Sequence, residues 1–265
     1  MNNESRPAPG QGSAVLQKEG DLCTVVLNRP AVMNAIGSDM VKALRKAFQT
    51  IGADEEIRVV ILEGSGGNFS SGGDINFLGA GRSAPEYLAI MRSVSQMIKR
   101  IREIPQPVLC KVRGVAVGAG ANLALAGDFV VASHNARFQE AFVHLGLGLD
   151  AGGTFFLPRL IGLAKARELA MLGEAIDGET AASMGLIYKS VSDEALDGEV
   201  ADLAKTLAAK SPKALSSIKQ GLDASLDMNL SEVLEREAVH QSILFQTIEH
   251  EQAVKRFLES RRKQD

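Results

Sequence analysis

Short apolar runs of β type alternate with helix-like stretches through the first half of the chain. Of all the features of the sequence, this alternation limits the possible folds most strongly. A strand, a helix and a second strand form the unit from which parallel sheets are built. The sequence therefore predicts an α/β domain with largely parallel strands, in which Ser38 is the N-cap of the first helix. The predicted strands cover residues 23–27, 59–63, 108–112 and 129–132, and the predicted helices cover residues 38–51, 85–103 and 120–126.

Length and composition allow one substantial hydrophobic core. The chain has 265 residues, of which 45% are hydrophobic, and this suits one large domain or one domain with a small appendage. We expect a disordered tail at residues 1–12, a core domain at residues 13–200 and a C-terminal helical region at residues 201–265. The tail is polar and lacks the apolar stretch that is typical of a secretory signal.

The charge balance argues against two classes of partner. A net charge of −3 gives no general attraction to nucleic acid or to an anionic membrane surface. The sequence has no apolar run of about 18 residues, the length typical of a membrane-spanning helix. We therefore expect neither nucleic acid nor a membrane as a partner.

The two cysteines, Cys23 and Cys110, lie inside apolar β-type runs. Two cysteines are too few for a disulfide framework or a thiolate metal site, so we interpret both as buried, reduced thiols. The four histidines show no metal-ligand spacing. The sequence therefore predicts no metal site and favours the reducing cytoplasm.

Two turns rich in small residues follow predicted strands. The first, at residues 69–75, reads Phe-Ser-Ser-Gly-Gly-Asp-Ile, and the second, at residues 114–122, reads Gly-Val-Ala-Val-Gly-Ala-Gly-Ala-Asn. Backbone N–H groups lie free where such a turn opens into a helix. Two turns brought together can direct two amides at one carbonyl oxygen and form an oxyanion hole. The alternative is that each is only a tight turn, and neither has the Lys-Ser/Thr of a phosphate-binding P-loop.

Four segments in order resemble the crotonase (enoyl-CoA hydratase/isomerase) superfamily. They are the two turns, the segment 28–35 (Asn-Arg-Pro-Ala-Val-Met-Asn-Ala) and the segment 145–160, which contains Leu-Asp-Ala-Gly-Gly-Thr. The resemblance extends from about residue 15 to residue 262. It implies the crotonase-like (ClpP/crotonase) spiral of ββα units with a C-terminal helical trimerisation region. It also implies an acyl-CoA thioester substrate that carries its own coenzyme A, with no separate cofactor.

The resemblance assigns roles to individual residues. It implies that the N–H groups of Gly73 and Ala119 form the oxyanion hole. Asp74 follows the first of these and is interpreted as the N-cap of a helix at Ile75. The resemblance further implies a substrate-binding set made of Arg29, Ala31, Val32, Ala35, Ser71, Gly72, Asp74, Ile75, Gly118, Asn122 and Phe142.

The chain departs from the hydratases at their two catalytic glutamates. A count without gaps puts Asn122 and Phe142 at those positions, and neither side chain transfers a proton. Asp150 stands where hydratases usually have glycine, in a sequence similar to that of the phenylacetyl-CoA epoxide isomerases. Burial near an apolar loop would raise its pKa and make it a better base. The alternative is that Asp150 is a helix N-cap.

Several reactions stay open at this point. The favoured interpretation is an isomerase that uses Asp150 to move a double bond in an enoyl-CoA. Glu140 lies two residues before the hydratase position that Phe142 occupies, and a register shift of two would be needed for it to act as the acid there. Strand alternation would put Glu140 and Phe142 on one face. Hydration, nucleophilic dehalogenation of an aryl thioester and acyl-CoA binding without turnover are the alternatives. Dehalogenation would need an aromatic clamp, for which the candidates are Phe69, Phe77, Phe142 and Phe155.

The last third of the chain is predicted to be helical, at residues 164–172, 194–209, 212–225 and 231–262. Apolar residues recur there at helical spacing, so these helices need a partner surface. Packing on their own domain would satisfy this need. The resemblance instead implies a homotrimer or a homohexamer.

Overall fold

The computed structural model describes residues 12–79 and 81–262 and contains two sheets. Its strands are β1 (Ala14–Glu19), β2 (Leu22–Leu27), β3 (Val59–Gly64), β4 (Val108–Val112), β5 (Val115–Val117), β6 (Phe129–Ser133), β7 (Arg137–Gln139), β8 (Ala175–Asp177) and β9 (Lys189–Val191). Six of them form a sheet in the order β1-β2-β3-β4-β6-β9, and β5, β7 and β8 form the other. In the larger sheet only the β1–β2 hairpin is antiparallel. The predicted α/β architecture with largely parallel strands is therefore confirmed.

Helices cover both faces of the larger sheet. They are α1 (Ser38–Gly52), α2 (Ile75–Leu78), α3 (Ala84–Glu103), α4 (Ala119–Leu125), α5 (Gly153–Leu172), α6 (Gly178–Ser183), α7 (Leu196–Ala208), α8 (Pro212–Ser225), α9 (Leu230–Leu244) and α10 (Ile248–Arg262). One face of β3 and β4 packs into the main core with α1 and α3, and the other face packs against α7. Strands buried on both faces explain the continuous apolar runs in the sequence. Cys23 and Cys110 are free and buried, as predicted.

The predicted elements between residues 23 and 132 form within a few residues of their expected limits, with one correction at the start of α1. The helix predicted at 164–172 begins earlier, at Gly153. Gly37, not Ser38, is the N-cap, because its carbonyl accepts the first helical hydrogen bond from the N–H of Val41 at 3.0 Å. Ser38 is the first residue of the helix and its side chain caps nothing.

The C-terminal helices differ from the prediction in two ways. Residue 200, the expected boundary, falls inside α7, whose apolar face is buried on the sheet. The predicted helix at 231–262 is two helices, because the Thr247 hydroxyl accepts a hydrogen bond from the N–H of His250 and starts α10. Among the helices of the described ranges, none has the length and apolar composition needed to cross a bilayer. Residues 1–11 of the predicted tail lie outside the described part.

Candidate active site

The two predicted turns lie side by side. A single-residue parallel bridge joins Ser70 of the first turn to Ala116 of the second. The Ser70 N–H donates to the carbonyl of Val115 at 2.9 Å, and the Val117 N–H donates to the carbonyl of Ser70 at 3.0 Å. Backbone hydrogen bonds therefore hold the two turns in fixed positions relative to each other, as an oxyanion hole made from both of them requires.

Gly72 lies where the turns approach most closely. Its φ is +92°, a conformation that a side chain rarely adopts. A Cβ at this position would lie 2.5 Å from the carbonyl oxygen of Val117 and 3.7 Å from the amide nitrogen of Ala119. Only glycine fits this contact, which brings the first turn to the start of α4.

Two amides at this contact have no acceptor among the described residues. On either side of Gly73, the carbonyl of Gly72 accepts from Ile36 and the N–H of Asp74 donates to Ile36, but the N–H of Gly73 donates to no group in residues 12–79 or 81–262. The N–H of Ala119 is likewise unused within these ranges, because Ala119 is the first residue of α4 and has no helical acceptor. Ala119 has helical backbone angles, so its Cβ causes no strain. The family resemblance implies an oxyanion hole made of these same two amides.

The segment with Arg29 packs against the first turn. The Ser71 N–H donates to the carbonyl of Met33 at 2.8 Å, and the Ser71 hydroxyl donates to the carbonyl of Val32 at 3.1 Å. Arg29 donates from one guanidinium nitrogen, Nη1, to Asp74 at 2.9 Å and to the carbonyl of Ala35 at 2.8 Å. The structure therefore brings this predicted binding segment to the turn and leaves the Arg29 charge partly balanced.

The predicted binding residues of this region differ in exposure. Ala35 is buried, whereas Ala31, Val32 and Ile75 are exposed and form a rim. Asp74 is the N-cap of α2, as predicted, and accepts from the N–H of Asn76 at 3.0 Å.

The two positions of the hydratase glutamates lie close to the second turn. Asn122 is fully buried on α4, one helical turn after Ala119. Phe142 is buried, and its ring lies 3.6 Å from the point where a side chain of Gly118 would start. An amide and an aromatic ring thus occupy these places, and neither can act as an acid or base.

Asp150 presents a buried carboxyl beside this pair. Its Oδ1 is buried with no hydrogen-bond partner among the described residues, and burial raises its pKa to about 6. Its interpretation as a helix N-cap is wrong, because Ala151 and Gly152 both take positive φ and Gly152 is the N-cap of α5. The Asp150 side chain caps nothing and is available for chemistry.

Glu140 is the residue that sequence reasoning undervalued. β7 ends at Gln139 and a 3-10 turn, Ala141–Leu145, follows, so the expected strand alternation between Glu140 and Phe142 is wrong. Glu140 is only 4% exposed and accepts from the side-chain nitrogen of Asn122 at 3.3 Å. Burial raises its pKa to about 8, with a smaller contribution from the negative charge of Asp150. The available signal was an acidic residue directly before the apolar residues Ala141, Phe142 and Val143.

The aromatic residues do not form an evident clamp. Phe69 is fully buried and cannot reach a substrate, and the Phe77 side chain lies outside the described residues. Phe155 is 41% exposed, but its ring is covered by the guanidinium of Arg159 at 3.7 Å. Within the same described ranges, no three acidic, histidine or cysteine side chains come together as metal ligands.

Comparison with known proteins places this chain in a family. The family model of enoyl-CoA hydratase/isomerase matches residues 17–264. The 1,2-epoxyphenylacetyl-CoA isomerase of Escherichia coli K12 is 35% identical over 246 residues, which are 92% of this chain and 94% of that protein. The trans-2-decenoyl-acyl-carrier-protein isomerase of Streptococcus mutans is 31% identical over 248 residues, which are 92% of this chain and 94% of that protein.

A solved structure agrees with this result. The crystal structure of an enoyl-CoA hydratase from Polaromonas sp. JS666 matches with a TM-score of 0.89 and 34% identity, over 94% of this chain and 98% of that chain. The names of these proteins include both isomerase and hydratase. The match spans nearly the whole chain and includes the C-terminal helices. The chain therefore belongs to the enoyl-CoA hydratase/isomerase family, the crotonase superfamily, whose members act on acyl-CoA thioesters.

Proposed function

We propose that this protein moves the double bond of an enoyl-CoA thioester. The Asp150 carboxylate takes a proton from the carbon next to the thioester carbonyl of a 3-enoyl-CoA. The negative charge that develops on the carbonyl oxygen is bound by the N–H groups of Gly73 and Ala119. The protonated acid then returns the proton to the far end of the delocalised system, which leaves a 2-enoyl-CoA and regenerates the carboxylate.

The observation that carries this proposal is the buried Oδ1 of Asp150, which has no hydrogen-bond partner among the described residues. With a pKa of about 6 it is largely ionised at neutral pH and is a stronger base than an ordinary aspartate. One acid is sufficient for a proton shift, whereas the family's hydration chemistry uses two. Asn122 and Phe142, at the positions of those two acids, contribute no proton.

Coenzyme A enters this reaction as part of the substrate, and we propose no separate cofactor. The nucleotide and pantetheine would lie along Arg29, the exposed rim of Ala31, Val32 and Ile75, and the buried Ala35. The reacting thioester would lie among the remaining predicted residues, namely Ser71, Gly72, Asp74, Gly118, Asn122 and Phe142. The buried free thiols of Cys23 and Cys110 suit the reducing cytoplasm, which we propose as its location.

The variant Asp150→Asn tests the proposal. It keeps the shape of the side chain and removes the base, so we expect isomerisation of a 3-enoyl-CoA to fall by about 100-fold or more with folding retained. Circular dichroism reports folding. Asp177→Asn is a matched control, because the exposed Asp177 carboxylate caps α6 and its loss should leave turnover unchanged.

Hydration is the second candidate, and the buried Glu140 is the observation that favours it. Asn122 contacts the Glu140 carboxyl and the main chain of Asp150, so two acidic residues lie next to it, and hydration uses two acids. Wild type and Asp150→Asn should be assayed side by side with a 3-enoyl-CoA and a 2-enoyl-CoA. Strong hydration that survives Asp150→Asn would overturn the isomerase mechanism.

A further inference from the structure

One amide group links the two buried acids of the site. The side-chain nitrogen of Asn122 donates to the Glu140 carboxyl at 3.3 Å and to the main-chain carbonyl of Asp150 at 3.0 Å. Glu140 follows β7, Asn122 lies on α4 and Asp150 precedes α5. Three elements that are distant in the chain are therefore joined through a single nitrogen atom.

The start of α5 holds this amide in place. A Cβ at Gly153 would lie 2.6 Å from the Asn122 side-chain nitrogen and 2.9 Å from its oxygen. The amide plane thus packs directly on the backbone of Gly153. The N–H of Gly153 also donates to the carbonyl of Asp150 at 3.0 Å. Any movement of Asn122 is therefore transmitted to the turn that carries the Asp150 carboxyl.

The surroundings of Glu140 favour its neutral form. Beside Glu140 lies a cavity of about 10 Å³, a volume that admits one water molecule at most. The side chains that α4, α5, β7, β8 and the segment before β9 contribute to this cavity are apolar or amides, apart from Glu174 after α5. Asp150 acts on Glu140 from the other side. No cation lines this cavity within the described ranges, so nothing there balances a charge on Glu140.

We propose that Glu140 is a positioning residue. Its neutral carboxyl fixes Asn122 and thereby the Asp150 turn, and its ionisation lowers turnover at alkaline pH. This proposal rests on the proposed function of Asp150. A neutral Glu140 also has an O–H to donate, and the Asn122 Oδ1 is a buried acceptor with no partner among the described residues.

The two titrations define the expected pH range. Burial raises the pKa of Asp150 to about 6 and that of Glu140 to about 8, so between these values we expect a charged base and a neutral supporting residue. Above about pH 8 a second negative charge appears near Asp150 and near the developing enolate. Like charges at a buried site disfavour both. Turnover should rise through pH 6 and fall through pH 8.

The variant Glu140→Gln tests the role of the charge. Glutamine accepts from and donates to Asn122 but cannot ionise, so the fall in kcat near pH 8 should disappear while the rise near pH 6 stays in place. Glu140→Ala leaves Asn122 without its partner, and we expect kcat at pH 7 to fall by about 10-fold with KM changed less. Glu174→Gln, at the same cavity, is the control, and its kcat should rise near pH 6 and fall near pH 8 as in the wild type.

Infrared spectroscopy gives a readout that does not depend on turnover. Wild-type protein and Asp150→Asn should both show the carbonyl stretch of a protonated carboxylic acid at pH 7, and Glu140→Gln should lose it. Absence of this band from the wild type would overturn the proposal, as would an unchanged alkaline limb in Glu140→Gln. Loss of activity in Glu140→Gln at every pH would show that Glu140 itself transfers the proton. Full activity of Asp150→Asn would instead overturn the proposed function and would leave the infrared result intact.

Discussion

At the scale of single residues, the Asp150 carboxyl is available for chemistry at a cost to folding. Burial raises its pKa from an ordinary value of about 3.9 to about 6, so the folded chain holds this proton more tightly than the unfolded chain. The stability therefore decreases as the pH rises from about 4 to about 6, and it stays lower above this range. The raised pKa that would make Asp150 a better base therefore lowers the stability of the folded protein at neutral pH.

Asp150→Asn should for this reason stabilise the protein at neutral pH. We expect the free energy of unfolding at pH 7 to increase by about 1 to 3 kcal/mol, and the increase to vanish below about pH 4. Urea titrations across this pH range measure it. Asp177→Asn provides a control of opposite sign, because hydrogen bonds from Thr180 lower the pKa of Asp177 and stabilise its charged form. The same gain at every pH would contradict this account.

Gly72 offers a second test at this scale. In Gly72→Ala the new Cβ would meet the carbonyl of Val117, so the two turns must separate and the Ala119 amide must move. We expect a loss of about 1 to 3 kcal/mol in stability and a fall in kcat of about 10-fold or more. The matched control is Gly81→Ala, since Gly81 has a φ of +102° but no atom near its Cβ position. Equal kcat values for the two variants would show that this contact does not support turnover.

Sequence reasoning predicted the placement of residues where that placement depends on local order along the chain. Gly73 and Ala119 follow strands in recognisable turns, and Asp74 precedes a helix that it caps. It failed where a role depends on packing between distant segments. The positive φ of Ala151 removes Asp150 from the cap position, and the burial of Glu140 depends on α4 and α5 closing around it. Neither effect has a local sequence pattern.

At the scale of elements, the division between α9 and α10 illustrates a similar limit. Apolar residues continue at helical spacing across residues 245–247, so periodicity alone predicts one helix. The break depends on one hydroxyl, that of Thr247, which caps the new helix. A threonine in a helical pattern is common, and its role as a cap appears only in the backbone geometry.

Thr247→Ala should loosen α10 without unfolding the core. Loss of an N-cap typically costs about 1 kcal/mol, so the amides of the first turn of α10 should exchange with deuterium about five times faster. Ser242→Ala is the control, because the Ser242 hydroxyl donates back to Val239 within α9 and caps nothing. Unchanged exchange in Thr247→Ala would contradict the role of this cap.

At the scale of the whole molecule, the C-terminal helices leave much apolar surface uncovered. Neither α8 nor α9 has a fully buried residue in the single chain. The large apolar side chains that are at least half exposed in this region are Ile218, Leu222, Leu226, Leu230, Leu234, Ile243, Phe245, Ile248, Phe257 and Leu258. A surface of this kind is typical of a protein interface.

We expect sedimentation to show a homotrimer or a homohexamer. Truncation before Ser231 removes α9 and α10 and should cause aggregation or loss of assembly. Phe245→Asp places a charge on the exposed apolar surface and should weaken assembly, whereas Glu259→Asp, on α10, keeps the charge and should not. A folded monomer at micromolar concentration would count against the oligomer.

The single-residue bridges between Ile36 and Gly73 and between Ser70 and Ala116 have a consequence for synthesis of the protein. Each bridge joins segments that leave the ribosome at different times, and Asp150 emerges later than all of them. A nascent chain that has released only β1 to α3 contains Gly73 but lacks the second turn and the base. On the proposed mechanism, thioester chemistry therefore begins only after most of the core has been synthesised, and a chain interrupted before the second turn lacks it.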